Sequence, residues 1–170
     1  MTDNKLFFAR KNNTVILPTK SDENAGYDIY ANFEESYFVI PPHTTKMVPT
    51  GLHSACSKGY YIQLLERGST GTKGIAQRCG VIDSGYRGEW FVPLTNTTNN
   101  TIVISKVNEE ELVENLCLSR NAIVIYPYSK AICQAAILPV PKMEVKEISV
   151  DEIMEIKSER GTGALGSSGK

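Results

Sequence analysis

Short β-type segments, each bounded by Pro, Gly, Asn or Ser, follow one another along most of the chain. They are rich in Val, Ile and Tyr, and they span residues 14–18, 37–42, 46–51, 60–66, 89–95, 101–105, 122–128 and 132–140. β-branched and aromatic residues favour strands, whereas prolines at the ends of such runs fit sheet edges better than buried parallel strands. Short strands at even spacing are typical of barrels and jelly rolls. The sequence therefore predicts an all-β fold, a jelly-roll-like β-barrel.

Two stretches depart from this pattern. Residues 107–118, VNEEELVENLCL, place Leu112 and Leu116 on one face and glutamates on the other, which predicts a short helix. The last residues, from Arg160 onward, read RGTGALGSSGK and cannot contribute to a core. We therefore expect one domain over residues 1–155 and a flexible C-terminal arm over 156–170.

Charge and apolar content exclude several classes of function. The net charge is −1 and 22% of residues are charged, so no basic excess predicts nucleic-acid binding. No apolar run has the length of a membrane span, and the charged N-terminus does not resemble a secretion signal. We expect a cytoplasmic protein with reduced cysteines. The four cysteines form no CxxC pair, and the two histidines have no third ligand at a suitable spacing for zinc.

The segment GVIDSGYRGEW, residues 80–90, concentrates reactive side chains around a turn. Ser84 and Gly85 form a turn signal because glycine accepts a positive φ at no steric cost. A tight β-hairpin is predicted, with Asp83 and Tyr86 on either side of the bend. Taken alone, this stretch is more typical of an ordinary surface hairpin with Asp83 as a turn residue, because Asp is common in turns.

Five motifs that occur in order along the chain favour a functional role for this hairpin. They are AGYDIYA (25–31), ERGSTG (66–71), GVIDSGYRG (80–88), the surroundings of Gln134 in KAICQAAILP, and the tail RGTGALGSSG. Together they resemble the trimeric dUTPases, which hydrolyse dUTP to dUMP and pyrophosphate. The first and third motifs match closely, and the others match with changes. The resemblance implies a dUTPase-like homotrimer in which neighbouring subunits share each active site and the C-terminal arm closes over the nucleotide.

The resemblance also implies roles for the residues around the turn. Asp83 would activate the water that attacks the α-phosphorus, and Asp28 would support the site. Tyr86 would pack against the deoxyribose and leave no room for a 2′-hydroxyl. The main chain around Val81, Ile82 and Asp83 would read uracil, and Gln77 stands where the family usually has Asn.

A second group of residues would bind the phosphates and close the site. Its members are Arg67, Gly68, Ser69, Gln134, Arg160, Leu165, Gly166, Ser167 and Ser168. The order Arg-Gly-Ser replaces the usual Arg-Ser-Gly or Arg-Ser-Ser, and Leu165 replaces the usual Phe over the base. Mg²⁺ is expected to be held through substrate phosphates and water, with no direct protein ligand.

Residues 108–120 resemble an insertion relative to compact family members. A decorative surface segment and a site for a regulatory protein partner are both open interpretations of it. Two other functions stay open for the whole chain. One is a dCTP deaminase of the same fold with Glu89 as the base. The other is a regulatory binding protein that uses nucleotide as its switch.

Overall fold

The computed structural model describes residues 4–78 and 80–163, which form two compact units, 4–140 and 141–163. The first unit is mostly β, as predicted. The second contains the start of the predicted arm. The domain boundary expected between residues 155 and 156 stays a prediction.

Twelve strands lie in the described part of the first unit. They are β1 (Leu6–Arg10), β2 (Tyr27–Ile29), β3 (Tyr37–Ile40), β4 (Thr45–Pro49), β5 (Leu52–Cys56), β6 (Tyr60–Leu65), β7 (Ile75–Gln77), β8 (Val81–Asp83), β9 (Phe91–Asn96), β10 (Thr101–Ser105), β11 (Ile123–Pro127) and β12 (Cys133–Pro139). They form four small sheets, ordered β1-β5, β11-β10-β3, β2-β12-β6-β8 and β4-β9-β7. The β10–β11 pair is parallel and the other pairs are antiparallel.

Alternating side chains from all four sheets fill one core. Trp90 and Tyr126 are its largest fully buried members, and Phe8 packs edge-on against Trp90 with 5.7 Å between the ring centroids. Two buried polar side chains of this core are hydrogen-bonded: the Tyr126 hydroxyl donates to the Ala131 carbonyl at 2.6 Å, and Asn96 Nδ2 donates to the Ile40 carbonyl at 2.9 Å. Trp90 Nε1 is buried without a hydrogen-bond partner among the described residues, an exception to the usual pairing of buried polar groups.

Strand β6 is central to the arrangement of the motifs. It pairs with β8 on one side, where Tyr61 lies opposite Asp83, and with β12 on the other, where Leu65 lies opposite Gln134. A strand rises about 3.3 Å per residue, so these two positions on β6 are about 13 Å apart. Asp83 of the third motif therefore lies beside one end of β6, and Gln134 of the fourth motif lies beside the other.

The strand predicted over residues 14–18 is wrong. This stretch lies in a turn followed by irregular chain. The Asn12 side chain accepts hydrogen bonds from the Thr14 amide at 3.0 Å and from the Thr14 hydroxyl at 2.6 Å. Such a local side-chain bond offers the backbone an alternative to pairing in a sheet. Four strands were missed, β1, β2, β5 and β7.

The predicted hairpin is half right. The turn exists, since the Tyr86 amide donates to the Asp83 carbonyl at 3.0 Å. The strands on either side do not pair with each other, because β8 pairs with β6 while β9 pairs with β4 and β7. The turn therefore carries the chain from one sheet to another.

The predicted helix is confirmed as α2 (Glu109–Leu116), which follows the single helical turn α1 (Gly68–Gly71). The Asn108 side chain caps α2 by accepting from the Glu111 amide at 2.9 Å, and Leu112 is fully buried. The predicted insertion forms most of the crossover between β10 and β11, which parallel pairing needs. Its role as a partner site stays a prediction.

The second unit contains the short helix α3 (Val150–Glu155). Ser149 caps it: the Glu152 amide donates to Ser149 Oγ at 3.1 Å, and the Ser149 amide donates to Glu152 Oε2 at 2.7 Å. Hydrogen bonds from the Ser149 amide and hydroxyl hold the pKa of the Glu152 carboxyl below its ordinary value. The cap fits the preference for this pairing at helix starts.

Candidate functional site

The turn after β8 begins at Asp83, whose carboxylate is exposed. Asp83 is exposed, and within the described residues its carboxylate has no hydrogen bond or ion pair. It borders a cleft of about 210 Å³. The cleft is lined by Met47, Val81, Ile82, Asp83, Tyr86, Glu89, Trp90 and Phe91. A free carboxylate at the edge of a cleft can accept a proton from a bound water.

Tyr86 is fixed by the residues that follow it. Its hydroxyl donates to the Glu89 carbonyl at 3.0 Å. A Cβ atom added to Gly88 would lie 2.3 Å from that hydroxyl oxygen and 2.5 Å from the ring carbon that carries it. The ring therefore occupies the space that a side chain at position 88 would need, and its position is well defined.

Strand β5 and the residues just before it form hydrogen bonds to Glu89 and Trp90, which follow the turn. The Trp90 amide donates to the Leu52 carbonyl at 2.8 Å, and the Thr50 hydroxyl donates to the Trp90 carbonyl at 2.7 Å. Glu89 Oε1 accepts from the Gly51 amide at 3.1 Å, and Glu89 Oε2 accepts from Lys11 Nζ at 3.1 Å. The Glu89 carboxylate is thus engaged on both oxygens.

The predicted uracil-reading residues lie on a sheet edge. Strand β8 pairs only with β6, so its other side is unpaired within the described residues. Val81 is exposed and Ile82 is buried. An unpaired edge offers main-chain N–H and C=O groups to a ligand. Gln77 lies elsewhere, on β7, where its backbone N–H donates to Glu66 Oε1 at 2.9 Å.

A second cluster lies at the other end of β6. Arg67 Nε is 3.3 Å from Asp28 Oδ1, Arg67 Nη2 donates to Asp28 Oδ2 at 3.4 Å, and Arg67 Nη1 donates to the Ala131 carbonyl at 3.1 Å. Gln134 Nε2 donates to the Glu66 carbonyl at 2.9 Å. The structure thus brings the first, second and fourth motifs together, with the Arg67 guanidinium held in one orientation.

The one-turn helix α1 contains the two hydroxyl side chains of the second motif, those of Ser69 and Thr70, and only one of them is exposed. Thr70 is buried and its hydroxyl donates to the Arg67 carbonyl at 2.8 Å. Ser69 is exposed, as is Gly68 beside it. Of the hydroxyls of Ser69 and Thr70, that of Ser69 is therefore the one accessible to a ligand.

The structure does not bring the two clusters together within one chain. Asp83 and Gln134 lie opposite positions about 13 Å apart on β6, and Arg67 follows the far end of that strand.

The arm residues are described only in part. Arg160 is exposed, its Nε donates to the Gly163 carbonyl at 2.9 Å, and its amide donates to Ser158 Oγ at 3.2 Å. The remaining predicted arm residues lie outside the described residues. They are Leu165, Gly166, Ser167 and Ser168.

Among the described residues, none forms a metal cluster or a membrane-spanning helix. Residues 4–78 and 80–163 contain no group of three or more His, Cys, Asp or Glu side chains that could hold a metal ion. They also contain no helix long and apolar enough to cross a membrane. Cys56 and Cys117 are free thiols, and burial raises the pKa of the Cys56 thiol while the Arg87 charge opposes that rise.

Four cleft residues were not anticipated from the sequence: Met47, Glu89, Trp90 and Phe91. Glu89 was considered only as a deaminase base. Met47 is far from the turn in sequence and reaches the cleft through the β4–β9 pairing. Phe91 and Trp90 stand directly after the third motif, so an apolar pair beside a reactive turn was the available signal.

Comparisons with known proteins agree on one family. The dUTPase family model matches residues 12–109. The deoxyuridine 5′-triphosphate nucleotidohydrolase of Nautilia profundicola is 31% identical and covers 98% of this chain and 99% of its own length. The enzyme of the same name from Debaryomyces hansenii is 30% identical over 96% of this chain and 86% of its own length.

Solved structures show the same fold. The dUTPase of Staphylococcus bacteriophage 80alpha with dUPNHPP aligns with a TM-score of 0.73 at 21% identity, covering 98% of this chain and 99% of its own. The EIAV dUTPase aligns with a TM-score of 0.62 at 21% identity, covering 86% and 98%. The predicted jelly-roll-like fold is confirmed. With a family model that spans more than half of its length and relatives that match it nearly end to end, the chain belongs to the dUTPase family.

Proposed function

We propose that this protein hydrolyses dUTP to dUMP and pyrophosphate, with Asp83 activating the attacking water. The observation that carries the proposal is the Asp83 carboxylate, exposed and uncommitted on a fixed turn at the edge of a cleft. A base must be free to take a proton and must be held in place, and Asp83 meets both conditions. The names of the most similar relatives support the same reaction.

The deoxyribose and uracil of the substrate would be recognised at the same end of β6 as Asp83. The Tyr86 ring forms a fixed wall of the cleft, which suits it to exclude a 2′-hydroxyl by contact. The unpaired edge of β8 supplies main-chain groups for uracil, and the exposed Val81 side chain lies beside them. A site that binds by fixed shape loses little entropy when the ligand enters.

Phosphate binding is assigned to the Arg67 cluster of a neighbouring subunit in a homotrimer. Arg67 has a planar, permanently charged group suited to phosphate oxygens, Gly68 leaves the backbone accessible, and Ser69 offers its hydroxyl. Asp28 and Gln134 hold this cluster together. The separation of about 13 Å between the ends of β6 supports the assignment, because it keeps the two clusters of one chain apart.

Mg²⁺ completes the proposed site. We expect the ion to be held through substrate phosphates and water, with no direct protein ligand. The Asp28 side chain is 35% exposed while paired with Arg67, so it is able to accept a hydrogen bond from a metal-bound water. When bound, the ion offsets negative charge on the phosphate oxygens and on the leaving pyrophosphate.

The C-terminal arm is proposed to cover the bound nucleotide. Arg160, Gly166, Ser167 and Ser168 would contact the phosphates and Leu165 would lie over the base. The supporting observation is that Arg160 is exposed at the start of a glycine- and serine-rich segment. Closing loops of this kind exclude water and complete a site.

The geometry disfavours a dCTP deaminase. A deaminase base must be free to reach the cytosine amino group, but both Glu89 oxygens accept hydrogen bonds, from Gly51 and Lys11. The Glu89 side chain is only 13% exposed. It serves the local structure, whereas Asp83 is the free acid.

The decisive assay measures pyrophosphate release with Mg²⁺ from dUTP, dCTP, dTTP and UTP, together with ammonia release from dCTP. We expect release from dUTP alone. Asp83→Asn keeps the shape but removes the base, and loss of general-base catalysis lowers kcat by about a hundred- to ten-thousandfold. Tight dUTP binding without turnover by the wild type would favour a regulatory binding protein, and ammonia from dCTP would favour the deaminase.

A further inference from the structure

Arg87 follows Tyr86 directly, and one nitrogen of its guanidinium group, Nη1, contacts three backbone carbonyls. Arg87 Nη1 donates to the carbonyls of Ser84 at 2.7 Å, Tyr86 at 2.8 Å and Ser54 at 3.3 Å. Ser84 lies inside the reactive turn and Tyr86 ends it, whereas Ser54 is a buried residue of β5. One charged group therefore joins the turn to a strand of a different sheet.

The segment needs such a donor. Residues 84–90 connect β8 to β9 without belonging to a strand, so their carbonyls have no ladder partners. The same strand supplies one more bond, from His53 Nδ1 to the Arg87 carbonyl at 2.9 Å. β5 thus holds both the backbone and the side chain of Arg87.

The planar guanidinium fixes the direction in which Nη1 points. It keeps its charge at all accessible pH values, and charge-assisted bonds are stronger than neutral ones. Arg87 does not line the cleft, and in the described chain it forms no ion pair with Asp83. Its influence on the cleft must pass through the backbone that carries Asp83 and Tyr86.

We infer that Arg87 is a positioning residue that fixes Asp83 and Tyr86 by clamping the carbonyls of their turn onto β5. The inference rests on the proposed dUTP hydrolysis. It predicts two linked losses when the clamp is removed. Asp83 no longer holds its water in line, which lowers kcat, and Tyr86 no longer excludes the 2′-hydroxyl, which lowers the preference for dUTP over UTP.

The test compares wild type with Arg87→Met and Arg87→Lys. The measured quantity is kcat/KM for dUTP divided by kcat/KM for UTP, because this ratio does not depend on how much of a preparation is folded. Misplacement by about 1 Å can cost a hundredfold in rate, so we expect the ratio to fall roughly ten- to hundredfold in Arg87→Met. Arg87→Lys should fall less, since it keeps the charge but loses the planar geometry.

Arg120→Met serves as the matched control. Arg120 is also an exposed arginine, but it pairs with Glu109 at 2.7 Å in the crossover segment and should leave the ratio unchanged. An active wild type with unchanged ratios in both Arg87 variants would overturn this inference alone. Failure of both variants to assemble would also overturn it, because Arg87 would then be a folding residue. A wild type that does not hydrolyse dUTP would overturn the proposed function and this inference together.

Discussion

The two ends of strand β6 carry different kinds of site. At the Tyr61 end, Asp83 is exposed and its carboxylate has no hydrogen bond or ion pair within the described residues. It lies on a turn whose carbonyls accept from the Tyr86 amide and from Arg87. At the Leu65 end, Arg67, Asp28 and Gln134 are held by side-chain bonds to each other or to nearby carbonyls. One end leaves its acid free to react, and the other fixes a cation for binding. The contrast fits a division between chemistry and phosphate recognition.

Among variants that should affect one end of β6 and not the other, Arg67→Ala is expected to have the largest effect. Loss of a charge-stabilising donor costs about a hundred- to thousandfold in kcat, so kcat/KM for dUTP should fall by that order. Binding of deoxyuridine, which has no phosphate, should be unchanged. Steady-state kinetics and calorimetry measure the two quantities.

Arg67→Lys is the matched control, because it restores the charge without the planar fork. It should recover part of the lost kcat/KM. Equal losses of dUTP turnover and deoxyuridine binding in Arg67→Ala would contradict the division, since the two ends would then act as one structural unit.

A smaller effect, confined to the Tyr61 end, is expected from Gly88→Ala. The new Cβ would lie 2.3 Å from the Tyr86 hydroxyl oxygen, so the ring must move. Displacing the ring opens space for a 2′-hydroxyl, and the preference for dUTP over UTP should drop by about tenfold, in line with the small energies of steric discrimination. Inhibition by pyrophosphate should stay the same. A shift in pyrophosphate inhibition without a change in preference would contradict this view of Tyr86.

The smallest effect is expected from Gly26→Ala at the opposite end. Its Cβ would lie 3.0 Å from Gln134 Oε1 and 3.1 Å from Gln134 Cβ, a tight contact that moves the amide by a few tenths of an ångström. We expect KM for dUTP to rise by up to about tenfold, corresponding to one weakened hydrogen bond. The preference for dUTP over UTP should not change. A loss of preference in this variant would show that the ends are coupled.

Local signals in the sequence predicted local structure well. The Ser84-Gly85 turn and the helix around Leu112 both depend on residues within a few positions of each other, and both are present. The strand at 14–18 failed for a local reason too, because the Asn12 side chain competes with sheet pairing. Strands as short as β2 and β7 have too few residues to show an alternating pattern.

Pairing between distant segments could not be predicted. The third motif reads as a hairpin, yet its two arms belong to different sheets, because β6 and β4 compete for them through contacts distant in sequence. The hydrogen bond from Arg87 to the Ser54 carbonyl was missed for the same reason, since Ser54 lies on a strand that the sequence did not reveal. The available signal was an arginine directly after a turn whose carbonyls need donors.

Mixing two inactive variants tests most directly whether the two ends of β6 serve one site from different subunits. Asp83→Asn and Arg67→Ala chains would be co-expressed in equal amounts, and trimer formation would be checked by mass. In randomly assembled trimers, about a quarter of the sites combine an intact Asp83 from one subunit with an intact Arg67 from its neighbour, so about a quarter of the wild-type rate should return. Mixed trimers without dUTP turnover would contradict the account, because both clusters would then have to come from the same chain.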